Sequence, residues 1–125
     1  MDIGPFATSL GLTLTSASDE EVVGDWLVTE VMLQPAGLLN GGVHCSVVET
    51  LASVGASLWF GDRGQIVGVA NSTDFFRASR PGDRLTSTAL PIHRGRSQQV
   101  WRVETRSPDQ RLVAVGQVRL QNVTG

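Results

Sequence analysis

Apolar positions along the chain change their spacing twice, and those changes organise the whole sequence. Near the start, Leu10, Leu12 and Leu14 alternate with Gly11, Thr13 and Thr15, the period of a half-buried strand. Ser16 to Glu21 is polar and reads as a turn, and the β-branched and aromatic run Val22 to Met32 predicts a second strand. Gln34 to Asn40, which contains Pro35 and Gly37, predicts a loop. From Gly41 to Phe60 the spacing becomes helical, with Val43, Val47, Leu51, Val54 and Leu58 recurring at three- or four-residue intervals. Asn40 stands where an N-cap belongs, and Gly61 to Gly64 supplies a helix end. Val47, Val48, Leu51, Ala52, Val54, Ala56 and Leu58 leave this helix little polar surface, so burial on most sides is expected.

Four extended segments follow: Gln65 to Phe75, Asp83 to His93, Gln98 to Thr105 and Leu112 to Gln121. Arg80-Pro81-Gly82, Arg94-Gly95-Arg96 and Ser107-Pro108-Asp109 separate them with turn chemistry. One buried helix among hairpin-connected strands predicts a single α+β domain over residues 1–125, an antiparallel sheet wrapped around one long central helix.

Composition narrows the functions open to such a domain. A chain of 125 residues holds one core, and its surface-to-volume ratio makes oligomerisation a reasonable expectation. A formal net charge of −2 argues against a nucleic-acid partner, which calls for a basic stripe. Cys45 is the only cysteine, so no internal disulfide forms, and its helical position reads as core. Met1 to Leu10 lacks the basic start of a secretion signal. No uninterrupted apolar run reaches the roughly 18 residues of a membrane span. Cytoplasm and no membrane partner are the resulting expectations. Neither His44 nor His93 has a metal-ligand partner at usable spacing, and nothing calls for a metal or cofactor. Trp26, Trp59 and Trp101 read as packing residues, with Trp59 also able to line an acyl pocket.

Three motifs add chemistry. Asn40-Gly41-Gly42-Val43-His44-Cys45-Ser46-Val47-Val48-Glu49-Thr50 resembles the HGG…E signature of the hotdog-fold thioesterase superfamily that includes 4-hydroxybenzoyl-CoA thioesterase. Asp74-Phe75-Phe76-Arg77-Ala78-Ser79-Arg80-Pro81-Gly82-Asp83 resembles that family's (N/D)FxRPxxxGD segment, and His93-Arg94-Gly95-Arg96-Ser97 its GRS segment. The three occur in order from Gln34 to Val123, closest in style to the Arthrobacter-type and phenylacetate-pathway branch. The family's usual His is Asn40 here, which can cap a helix but cannot act as acid or base near neutral pH.

The resemblance implies hydrolysis of an aryl- or medium-chain acyl-CoA. Gly41 would offer its backbone N–H to the oxyanion at the positive end of the helix dipole. Glu49 would be general base or nucleophile. It is the sole acid between Glu30 and Asp62 and lies among apolar neighbours. Ser53 shares its helix face four residues on and would hold water or the carboxylate, or else only ease packing. Gln34 matches a residue assisting the thioester, or is a solvated loop side chain. Arg77, Arg94, Arg96 and Ser97 are candidates for the CoA nucleotide, whose phosphates suit guanidinium forks and turn amides. Gly41 and Glu49 are eight residues apart, about 12 Å along a helix, too far to serve one carbonyl from one chain. Two antiparallel helices related by a twofold could do so, predicting a homodimer, commonly doubled into a homotetramer. A non-catalytic acyl-CoA-binding protein and a hotdog dehydratase are the alternatives, although the dehydratase's catalytic His motif is missing.

Overall fold

A computed structural model describes all 125 residues. A short helix α1 (Gly4–Ser9) leads into strands β1 (Thr13–Ala17) and β2 (Val22–Leu27), and a 3-10 turn (Glu30–Met32) precedes the long helix α2 (Gly41–Phe60). Strands β3 (Gly64–Phe75), β4 (Arg84–Arg94), β5 (Gln98–Arg106) and β6 (Leu112–Thr124) complete one six-stranded antiparallel sheet, in the order β1-β2-β4-β5-β6-β3. β1 and β3 are therefore its two edges.

The sheet curls around α2. Val47, Val48, Leu51, Ala52 and Ala56 are fully enclosed, facing Trp26 and Trp101 together with Val103, Val118 and Leu120. With its following turn (Gly41–Arg63), α2 is long and apolar enough by composition to cross a membrane. Here the sheet supplies its apolar surroundings instead. Close approach is secured at Gly55, where a Cβ would come within 2.5 Å of the Trp101 ring. Both buried tryptophans are also satisfied as donors: Trp26 Nε1 to Ser87 Oγ at 3.1 Å, and Trp101 Nε1 to Gln99 Oε1 at 2.8 Å. Gln99 is itself fully buried, and its Nε2 donates to Asn122 Oδ1 (2.9 Å) and the Ala56 carbonyl (3.2 Å). Asn122 Nδ2 in turn reaches the carbonyls of Gly95 and Arg96.

Two expected strands differ from the observed ones. The alternating leucines do not begin β1, because the chain first forms α1, turns through Gly11 at φ +73°, and enters the sheet only at Thr13. β2 stops at Leu27 and does not run to Met32. The Val28 N–H bonds the Asp83 carbonyl, and the chain then bends through the 3-10 turn to reach α2.

Candidate active site

Asn40 is extended at φ −68°, ψ 129°, and its side-chain oxygen accepts the Gly42 N–H at 2.8 Å. The Val43 N–H takes the Asn40 carbonyl at 3.0 Å. Capping therefore consumes the second and third helical donors and leaves the Gly41 N–H without a partner in the chain. A Cβ at Gly41 would run into the Phe75 ring, so this close contact requires glycine. A cavity of about 230 Å³ opens here, walled by Leu38, Leu39, Phe75 and Phe76, with Gln34, His44, Arg77 and Ser79 as polar edges. The structure thus brings Gln34, Gly41 and Arg77 to one cavity. The Gln34 Oε1 accepts the Ala36 N–H, which holds the side chain in its own loop.

Two turns along α2, Glu49 is half-buried, with its carboxylate laid against β3. Asn71 Nδ2 donates to Glu49 Oε1 at 3.1 Å and to the Cys45 carbonyl at 3.0 Å, and Thr73 Oγ1 donates to Asn71 Oδ1 at 2.7 Å. The Cys45 carbonyl and the Glu49 carboxylate can only accept, which fixes the amide nitrogen of Asn71 toward them. Gly68 makes the room: a Cβ there would overlap Glu49 Oε2, and the β3–β6 register slips just beyond it, between Gly68 and Ala70. Ser53 lies with Glu49 in a second, open cavity of about 380 Å³, also lined by Met1, Asp2 and Ile3.

Gly41 and Glu49 consequently open onto different cavities of one chain. What they share is β3: Gly41 packs on Phe75 near its end, and Glu49 packs on Gly68 in its first half. The outer edge of β3 has no neighbouring strand, and it exposes Val67, Val69 and Phe75.

The other predicted residues scatter. Arg94 is already engaged: its guanidinium meets Glu20 Oε1 at 3.0 Å and the Asp19 carbonyl at 2.6 Å, tying the β1–β2 turn to the end of β4. Arg96 and Ser97 are exposed in a turn whose carbonyls are held by Asn122. Ile66, near the start of β3, pairs with Asn122, so this turn lies beside that end of the strand. Arg77 follows the opposite end, roughly 35 Å away at the rise of an extended chain. Within one chain these arginines do not form one patch. Trp59 is half-buried, with Arg63 at 4.5 Å and Arg94 at 5.5 Å from its ring centre. It joins neither cavity, and at ten residues beyond Glu49 it sits about 15 Å further along the helix. Its ring takes part in cation–π packing at the helix end.

Reading the sequence missed Gly68, Asn71 and His44. A lone glycine inside a strand is itself a signal of a bulge or close backbone approach. Asn71 carried no local signal, since its partner is 22 residues away.

The model of the Thioesterase superfamily matches residues 36–114. The crystal structure of S. sahachiroi AziG superposes with a TM-score of 0.97 at 54% identity, covering 99% of this chain and 100% of that one. That of Rv1847 from Mycobacterium tuberculosis gives 0.93 at 40% identity, covering 98% of each. The 1,4-dihydroxy-2-naphthoyl-CoA hydrolase of Listeria monocytogenes is 30% identical over 107 residues, 86% of each chain. With well over half its length matched, and with one sheet wrapped around one helix as in these structures, the chain belongs to the thioesterase superfamily of hotdog-fold thioester hydrolases.

Proposed function

We propose that the protein hydrolyses an acyl-CoA thioester in a site completed by two copies of the chain, with Glu49 of one subunit acting beside Gly41 of the other. One observation carries this reading. The two groups sit at separate stations along the same unpaired sheet edge, Glu49 at Gly68 and Gly41 at Phe75. If two β3 edges pair antiparallel with the twofold between Asn71 and Ser72, Gly68 of one chain faces Phe75 of the partner subunit. Each carboxylate then lies beside the partner's free helix N-terminus. The same pairing carries the Arg96-Ser97 turn toward the partner's Arg77, gathering side chains suited to the CoA phosphates.

The chemistry follows from the groups assembled. The thioester oxygen accepts the Gly41 N–H, which is favoured by the helix dipole and strengthens as negative charge develops. Glu49, aimed by Asn71, takes a proton from water as the water oxygen bonds the acyl carbon. Collapse of the tetrahedral adduct breaks the carbon–sulfur bond, and the CoA thiolate leaves and is protonated. Direct attack by the carboxylate, giving an anhydride that water then opens, uses the same geometry. Gln34 and Ser53 flank the thioester and the water, while Asn40 serves as cap alone. Relatives named for CoA thioester hydrolysis support the substrate class.

Complementation tests the reading. Glu49→Gln and Gly41→Pro should each lower turnover about a hundredfold or more. Mixing them should restore activity, because each hybrid dimer keeps one intact site. If subunits exchange and no activity returns, the shared site is refuted.

A further inference from the structure

Thr73 stands two residues beyond Asn71 on β3, and the chemistry above makes no use of it. Its hydroxyl makes one hydrogen bond within the chain, donating to Asn71 Oδ1 at 2.7 Å. The other end of the same amide holds Glu49: Nδ2 donates to Glu49 Oε1 at 3.1 Å and to the Cys45 carbonyl at 3.0 Å. Both amide hydrogens of Asn71 and its amide oxygen are therefore engaged. The second carboxylate oxygen, Oε2, lies over Gly68 and takes no hydrogen bond from its own chain. The slot that holds Thr73 would suit a valine equally well. Thr73 is paired with Gly116 of β6, and a Cβ on that glycine would come within 2.6 Å of both Thr73 Oγ1 and Val48 Cγ1. The side chain is thus seated between bare backbone and an apolar neighbour. A valine would fill that seat but could not donate to Asn71, so packing alone does not account for the threonine.

Asn71 is exposed on an edge strand, where water competes for both ends of its amide. A donor seated in the sheet removes that freedom at the oxygen end. Hydrogen bonds in a chain also polarise one another, so the O–H given to Oδ1 strengthens the N–H given to Glu49. We infer that Thr73 is a positioning residue: seated against Gly116 and Val48, it clamps the Asn71 amide so that Glu49 is held by Oε1 and presents Oε2 to the reacting water or acyl carbon. The inference rests on the thioesterase reading above, with Glu49 as its carboxylate. It adds which oxygen reacts and how the aim of the carboxylate is fixed from inside the sheet.

A double-mutant cycle tests it. kcat and KM are measured on the better of benzoyl-CoA and octanoyl-CoA for the wild type, Thr73→Val, Thr73→Ser, Asn71→Leu and the combined Thr73→Val, Asn71→Leu protein. Thermal melts establish that each variant is folded; should Thr73→Val not fold, Thr73→Ala takes its place with the same expectations. Thr73→Val should lower kcat about threefold to tenfold with KM little changed, the reach of one ordinary hydrogen bond. Thr73→Ser keeps the hydroxyl and should recover most of that loss. In the Asn71→Leu background, Thr73→Val should cost less than about twofold, because the amide it clamps is gone. Wild-type kcat in Thr73→Val, a loss that Thr73→Ser does not recover, or the same loss with and without Asn71 would each overturn the inference. Wild-type turnover in Glu49→Gln, or hydrolysis of neither thioester, would instead refute the reading beneath it, and the inference with it.

Discussion

The burial of His44 makes the stability of this protein depend on pH in a way that can be calculated. The folded imidazole is pushed down to about 4 by desolvation, from an ordinary value of 6.5. A histidine with a depressed folded value binds protons more weakly when folded than when unfolded. Its neutral form therefore carries the full stability above pH 6.5, and stability is lost as pH falls from there toward 4. Integrating the proton binding of the two states gives a loss of about 2 kcal/mol at pH 5 and about 3 kcal/mol at pH 4, relative to pH 8. That is a large share of the 5–15 kcal/mol typical of a domain. Carboxylates also lose stability in acid, Glu104 among them because the Arg106 hydrogen bond holds it below the usual range. Comparison with His44→Phe removes those contributions, since they are common to both proteins. Urea unfolding of the pair at several pH values and one protein concentration is the assay, because an assembly's stability depends on concentration. The wild-type minus variant difference should fall by about 3 kcal/mol between pH 8 and pH 4. A difference that stays flat would show that the ring is solvated in the folded protein, and the buried-imidazole argument would fail.

Gly68→Ala should lower kcat about a hundredfold with little change in melting temperature, because its Cβ occupies the space of the Glu49 carboxylate; steady-state kinetics and a thermal melt read the two effects separately. Asn71→Leu should lower kcat about tenfold by freeing that carboxylate, and wild-type kcat in this variant would show that Asn71 does not orient it. Arg94→Ala should cost at most about 1 kcal/mol of stability, its partner Glu20 being largely exposed, and should leave KM for acyl-CoA unchanged. Arg96→Ala should raise KM on the full CoA thioester but not on a truncated pantetheine thioester, which a direct comparison of the two substrates decides.

Local chemistry was readable and distant chemistry was not. α2 was legible from Gly41 to Phe60 because its cap, its period and the left-handed Gly61 at φ +64° all lie within the segment. The strands after it were legible to within a few residues because Pro and Gly mark their turns. Val28 to Met32 misled because its strand propensity yields to the need to turn into α2. α1 is too short to announce itself, and burial of Ala7 helps to hold it. At the site, the capping of α2 by Asn40 and the shared face of Glu49 and Ser53 follow from helix spacing. The engagement of Arg94 does not, since Glu20 stands 74 residues earlier. Nor does the approach of Arg94 to the Trp59 ring, which depends on the end of β4 folding back over the end of α2.

The buried chain from Trp101 through Gln99 to Asn122 also acts as a registration mark for the sheet. Side chains alternate faces along a strand, so a one-residue slip of β5 would turn Gln99 outward and bring its neighbours Gln98 and Val100 to the core. Purely apolar strands tolerate such a slip at modest cost. Here it would also carry Trp101 out of the core and leave the Asn122 side-chain oxygen and the Ala56 carbonyl without the Gln99 amide, loosening the Gly95-Arg96 turn that Asn122 anchors. Misaligned sheets are thereby disfavoured during folding, and the turn that faces the proposed CoA end inherits its position from the correctly threaded core.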